Sequence, residues 1–302
     1  METVIEKIRA LPKADVHNHL HLGGSLALLK QKYPDTSLRI PKYYKGLDGM
    51  IDFINNEVNA EMVTADDMMY FMEMALKNCI SDRVTYLEAS IDISFVRFFN
   101  DSIEELISVV QQLKENFKPF VDFRPDIGIN KDYDLQKAYS DGYICMNSGL
   151  FNGIDIYGLE INKKLDGFVE IFDYARKKSL KTKVHIGEFS DYRSIETAIY
   201  LLNPSEIQHG IKAADSTETM DLIAKKGIRL NICPQSNVCL GVVSSIADLP
   251  IRKLFDHGIR ITINTDDHLL FNSTVSDQFV DLINHEMFSF KEIDTIRKNA
   301  FP

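Results

Sequence analysis

Ile259-Arg260-Ile261-Thr262-Ile263-Asn264-Thr265-Asp266-Asp267 is the stretch on which the reading of the chain turns. Its apolar residues alternate from Ile259 to Ile263, the pattern of a buried strand. The run then stops in two adjacent carboxylates. Two acids at the tip of a buried strand are costly unless something cationic waits there. Working outward, two other runs end in similar fashion. Ala14-Asp15-Val16-His17-Asn18-His19-Leu20 reads as a strand that delivers His17 and His19, with His21 just beyond. Thr182-Lys183-Val184-His185-Ile186 reads as a strand that delivers His185 and then Glu188. These tips are expected to converge on one metal.

Between these runs the pattern repeats. Strands are expected at 84–89, 121–129, 154–158, 206–209 and 228–232. Helices are expected at 3–10, 66–82, 103–117, 135–146, 168–178, 194–202, 217–226, 246–257, 274–287 and 290–298, with short helices somewhere in 25–62. Pro125 inside the 121–129 run predicts a bulge, because proline cannot donate to a sheet ladder. Eight strands alternating with helices, with no break in composition, predict a single-domain α/β protein: a (β/α)8 TIM barrel over residues 1–302. An open doubly wound sheet is the alternative, but no G-x-G-x-x-G follows the first strand. In such a barrel the site lies at the C-terminal strand ends. His17, His19, His185, His209, Asp266 and Asp267 all fall there.

Composition narrows the function class. Lys plus Arg number 34 and Asp plus Glu 44, a formal net charge of -10, with no basic block. Nucleic acid is therefore not expected as a partner. No run of about 18 apolar residues occurs, so no membrane span is expected. Cys79, Cys145, Cys233 and Cys239 are scattered and form no C-x-x-C pair. That argues against a disulfide frame or a zinc knuckle and for a reduced, cytoplasmic setting. The N-terminal residues lack the apolar run of a signal peptide. The sequence carries no signal of an oligomeric state.

The spacing His17-x-His19 puts two imidazoles on the same side of a strand. With His185 and Asp266 they make a set of three imidazoles and one carboxylate. That set suits Zn(II), and Fe(II) or Mn(II) also fit it. A solvent molecule in the open position would be acidified toward hydroxide. Glu188 follows Gly187, past the strand end, where a carboxyl held protonated can serve as general acid. The competing reading is an acid near a helix N-terminus. His209, before Gly210, could orient or deprotonate the solvent molecule, although a lone histidine at a strand end is more often structural. Asp267 cannot share the metal with Asp266 inside a strand, but can turn toward substrate where the strand opens.

Five segments carry a resemblance. Pro12-Lys13-Ala14-Asp15-Val16-His17-Asn18-His19-Leu20, His185-Ile186-Gly187-Glu188, Gln208-His209-Gly210, Cys233-Pro234-Gln235-Ser236-Asn237 and Asn264-Thr265-Asp266-Asp267 resemble, in order, the motifs of the adenosine/adenine deaminase family. That family belongs to the metal-dependent amidohydrolases and has a (β/α)8 barrel. The resemblance implies a zinc-dependent hydrolytic deaminase of an aminopurine, either an adenosine-like nucleoside or an adenine-type base. Hydroxide on the metal would attack C6 and ammonia would leave. It further implies that His17, His19, His185 and Asp266 bind one Zn2+, that Glu188 protonates purine N1 and that His209 handles the zinc-bound water. Asp267 would hydrogen-bond N7, and the backbone N–H of Gly158 would meet N3. The other zinc deaminase signature, H-x-E with P-C-x-x-C, is missing.

Three departures bear on substrate. The family usually continues H-x-H-Leu with an acid and a glycine, the acid commonly contacting ribose. Here the run is Leu20-His21-Leu22-Gly23-Gly24-Ser25, so His21 stands closest to the missing acid's place. A shifted register would make His19 and His21 the metal pair, but the Pro12-Lys13 spacing favours His17 and His19. Residues 26–62 look too short for the helical lid of larger relatives. His268 follows the acid pair where proline is usual. Lost ribose contacts favour a free base, a modified nucleoside or another small amine. Two other classes stay open: an amidohydrolase acting on another amine or cyclic amide, which Glu188 argues against, and a catalytically silent ligand-binding barrel, which the intact ligand set argues against.

Overall fold

The structure is a computed structural model that describes residues 3–302. In chain order, α1 (Val4–Ala10) leads into β1 (Lys13–Asp15). Three helices, α2 (Leu26–Lys32), α3 (Gly46–Phe53) and α4 (Ala65–Ser81), fill the first crossover to β2 (Val84–Asp92). Then come α5 (Ile103–Phe117), β3 (Asp122–Asn130), α6 (Leu135–Asn147), β4 (Gly153–Tyr157), α7 (Val169–Lys177), β5 (Lys181–Ile186), α8 (Tyr192–Leu202) and β6 (Glu206–His209). The chain ends with α9 (Thr217–Lys226), β7 (Arg229–Ile232), α10 (Pro234–Cys239), α11 (Ile251–Asp256), β8 (Ile261–Ile263), α12 (His268–Phe271), α13 (Val275–Asn284) and α14 (Phe290–Asn299). The strands pair in parallel in strict order from β1 to β8, which is the expected (β/α)8 barrel. Among the described residues no helix is long and apolar enough to cross a membrane.

The last seam closes at the site itself. Beyond their ladders, the chain after β8 and the chain after β1 exchange backbone bonds. Asp266 N–H donates to His17 O at 2.9 Å and His19 N–H donates to Asp266 O at 3.3 Å. Asn264 Oδ1 accepts from Val16 N–H at 2.9 Å. The proposed ligands of the two chain ends are thus stitched together by main chain.

Alternation decides which residues face the barrel axis. On β5, Val184 and Ile186 are buried among apolar residues, whereas Lys183 and His185 reach polar partners inside the barrel. Below the site the interior is ionic. Lys183 Nζ donates to Glu88 Oε2 and Asp126 Oδ2, both at 2.6 Å. Arg229 Nη2 meets Glu206 Oε2 at 2.7 Å, and Tyr86 OH donates to Glu88 Oε1 at 2.6 Å. Charges so buried persist only when paired.

Four expectations need correction. β1 is only Lys13–Asp15, so His17 and His19 lie past it; the chain there stays extended, tied to Ser90 N–H through Asn18 O at 2.7 Å. Pro125 makes no bulge: the β2–β3 register runs unbroken through Ala89 and Pro125. Its carbonyl accepts from Asn152 N–H, ahead of β4, so the missing N–H falls where no β4 ladder yet runs. The helix expected over 246–257 is split at Pro250 into a 3-10 turn and α11. Residues 26–62 do form a cover: α3 and the turns after it line the cavity above the strand ends.

Candidate active site

A cavity of about 660 Å3 opens at the C-terminal ends of the strands. His17, His19, His185, His209, Glu188, Asp266 and Asp267 are all buried at or beside its floor. One ring nitrogen from each of His17, His19 and His185 lies within 4.8 Å of the others. Asp266 Oδ1 is 3.4 Å from His17 Nε2 and 3.6 Å from His19 Nε2. His17 Nδ1 is 2.9 Å from the Asn231 carbonyl, which can only accept, so the proton sits on Nδ1. Nε2 then presents a lone pair to the cluster, and among the described residues it has no hydrogen-bond partner. A lone pair facing a carboxylate oxygen is repulsive until a cation lies between them. This donor set therefore fits a divalent metal, through one nitrogen of each of His17, His19 and His185 and a carboxylate oxygen of Asp266.

The charge states support that fit. Burial alone would raise the Asp266 carboxyl, but His17 and its neighbours hold it well below the usual carboxylate range. Burial, with His185 adding like-charge repulsion, lowers His19 to about 4, so its imidazole is neutral at pH 7. His185 is also lowered, mainly by burial. His21 lies apart from the three, edge-on to Phe95 at 4.7 Å between ring centres, and burial lowers it to about 3. The His17/His19 pairing is the one that the fold brings to His185; the shifted register is not.

Backbone conformation aims the acids. Asp266 has φ 59°, a left-handed residue that breaks strand alternation, so Asp267 also faces the cavity. Burial, and then Asp266 next to it, push the Asp267 carboxyl well up. Its buried Oδ1 has no partner among the described residues. His209 and Gly210 are left-handed in succession, with φ 63° and 69°, which turns the chain over the strand end. The His209 Nε2 lies 3.5 Å from Glu188 Oε2 and 3.9 Å from Asp266 Oδ2. Burial above all keeps its imidazole neutral. Glu188 accepts from Asn237 Nδ2 at 2.7 Å. Burial, then Asp266 and Glu160, push its carboxyl well above the ordinary range, the direction that favours the protonated form. Gly158 lines the cavity at φ 98°, where a Cβ would press within 3.0 Å of Asn130 Oδ1.

Several residues of the site were not singled out from sequence. Asp155 stands 3.2 Å from His185 Nε2 through Oδ2, which also receives the Ser90 hydroxyl. The signal was present: an acid between Ile154 and Ile156 on a buried strand needs a cationic or donor partner. Asn237 lay within a quoted motif without a role; the short helix α10, begun by Pro234, brings it to Glu188. Asp92, paired with Tyr157 OH, lines the outer cavity with Ser94 and Arg97. Those contacts join β2 to β4, and spacing along the chain cannot reveal them.

The comparisons with known proteins agree with this geometry. The family model described as adenosine deaminase matches residues 50–302. A putative adenosine/adenine deaminase of Treponema pallidum is 34% identical over 280 residues, covering 93% of this chain and 94% of that protein. The crystal structure of an adenine deaminase from Arthrobacter aurescens superposes with a TM-score of 0.82 at 21% identity, over 96% of this chain and 93% of that one. An amidohydrolase from Burkholderia ambifaria, described with bound Zn, gives a TM-score of 0.82 at 20% identity, over 99% of this chain and 88% of that one. With the barrel, the histidine cluster and the buried acids all in place, the chain belongs to the adenosine/adenine deaminase family and is an enzyme of the hydrolytic purine deaminase type.

Proposed function

We propose that the chain, as one domain over residues 1–302, is a zinc-dependent deaminase that replaces the C6 amino group of an aminopurine and releases ammonia. The observation that carries this reading is Glu188. It is a buried acid, pushed toward its protonated form, within reach of His209 and held by Asn237, beside a nitrogen and carboxylate set that fits a metal.

A divalent metal held by His17, His19, His185 and Asp266 would supply Lewis acidity that makes a water a competent nucleophile at neutral pH. The protein's own groups do the rest. Glu188 gives its proton to purine N1, which removes aromatic stabilisation and leaves C6 electrophilic. His209, neutral and 3.5 Å from Glu188, is placed to take a proton from the attacking water and pass it on. Asp267, pushed toward its protonated form, donates to N7, an acceptor. The N–H of Gly158 faces N3. His21, neutral beside Phe95, meets the group on N9 in place of the family's usual acid. The cavity of about 660 Å3 leaves room beyond a purine for such a group. We place the enzyme in the cytoplasm, where its four buried, unpaired cysteines stay reduced.

The test is ammonia release from adenine, adenosine, deoxyadenosine and N6-substituted adenines, with ring opening of cyclic amides assayed in parallel, alongside metal analysis for zinc, iron and manganese. Stoichiometric metal and turnover of at least one aminopurine are expected. A protein inert on the whole panel after zinc loading would overturn the reading, and turnover of a cyclic amide alone would replace it.

A further inference from the structure

Glu160, just past β4, is buried yet carries none of the roles above. Its Oε2 accepts from the backbone N–H groups of Gly187, Phe189 and Ser190 at 2.9, 3.2 and 2.9 Å. Its Oε1 accepts from Glu188 N–H at 3.1 Å. Ser190 Oγ donates to Oε2 at 2.6 Å. Four consecutive N–H groups with no ladder partner thus converge on one carboxylate. Left unpaired in the interior, each would be destabilising. The end of β5, which leads into the turn, is also held. Lys131 Nζ donates to His185 O at 2.8 Å and lies 3.4 Å from Gly158 O. Between the two anchors lies Gly187 at φ 77°, where a Cβ would come within 2.3 Å of Ile195 Cδ1. No side chain can relax that bend, so its shape depends on the groups that grip it.

We propose that Glu160, with Lys131 opposite, is a positioning residue that fixes the 187–190 turn and thereby the reach of the Glu188 carboxyl. Glu160 also lines the cavity, but both of its oxygens accept from the turn, so its action on the site runs through Glu188. The inference rests on the reading of Glu188 as the acid.

The test is Glu160→Gln, which keeps the shape but removes the charge and sets an NH2 against N–H donors. We expect kcat to fall about 10- to 100-fold, KM to change less than about threefold, and metal content to stay full. Amide exchange at 187–190 should quicken about tenfold or more, with the other strands unchanged. Glu160→Asp should restore part of both. In a Glu188→Gln background, adding Glu160→Gln should lower the residual kcat less than about twofold, because the two changes remove one function. Wild-type kcat or unchanged exchange in Glu160→Gln would overturn the proposal, as would a full further loss in the double variant. If Glu160→Gln does not fold, Ser190→Ala, which deletes one donor, carries the same expectation at about three- to tenfold in kcat; no change there also overturns it. A wild-type protein that deaminates no aminopurine defeats the functional reading instead, while the exchange experiment, run without substrate, still decides the placement.

Discussion

At the scale of the residue, the site is a set of buried groups whose charge states diverge because their neighbours differ. Glu188 and Asp266 are both carboxyls on the cavity floor, yet one is pushed up toward its protonated form and the other is held down as a carboxylate. Burial acts on both in the same direction; Asp266 is reversed by the histidines around it. Glu188→Gln should therefore keep the metal complement and lose about 100-fold or more in kcat, measured by ammonia release. Undiminished turnover would remove it from the mechanism. Asp266→Ala should weaken metal binding about tenfold or more, and a full complement on competition with a chromogenic chelator would show that the ligand set is wrong. Asp155→Asn should weaken it about 10- to 100-fold, because Asp155 orients the His185 ring. His17, His19, His185 and Asp266 were legible as a chemical set from type and spacing. Asp155 was not, since its meaning depends on which strand stands beside it.

At the scale of the element, capping explains most boundaries. Lys13, the second residue of a quoted motif, reaches back to the final carbonyls of α1, with Nζ 2.8 Å from Leu11 O. Helix α4 begins with a reciprocal Thr64 and Asp67 box: Asp67 N–H donates to Thr64 Oγ1 at 3.2 Å and Thr64 N–H to Asp67 Oδ2 at 3.0 Å. Thr64→Ala should cost about 1 kcal/mol in urea unfolding. Asp67, also bonded to Tyr33 OH, is lowered to about 2 although burial opposes it. A depressed carboxyl stabilises the fold above its unfolded value of about 3.9, and the gain is lost as pH falls toward 2. Asp67→Asn should thus lower the urea midpoint at pH 6, with the gap to wild type narrowing steadily below pH 4. A gap independent of pH would sink this account. The periodic helices, α5 and α9 among them, came directly from sequence. The cover did not: α3 has no long apolar stripe of its own and takes its place by packing over the cavity.

At the scale of the whole molecule, the barrel is closed at two levels by different physics. At the site, main-chain bonds between the chains after β1 and β8 close the ring. Lower down, Lys183 is gripped by Glu88 from β2 and Asp126 from β3. Lys183→Met should destabilise the protein by about 3–5 kcal/mol in denaturant unfolding, since it removes the cation from buried Asp126 and one of the cations from Glu88. A loss below about 1 kcal/mol would show that those acids neutralise themselves by taking up protons.

By itself the sequence determined the barrel, because period-two and period-3.6 hydrophobicity are local properties that survive without a partner. It also determined which side chains could bind metal and supply a proton, because residue type and strand-tip position carry that information. Only the tertiary structure decided that Asp266 bends left-handed so that Asp267 also faces the cavity, that His21 stands outside the histidine cluster, and that Asp155 meets His185, Glu160 the Glu188 N–H and Lys131 the His185 carbonyl. Those outcomes depend on electrostatic and packing contacts between strands far apart in the chain, and the opening Ile259–Asp267 run acquires its function only when the chain after β1 is bonded beside it.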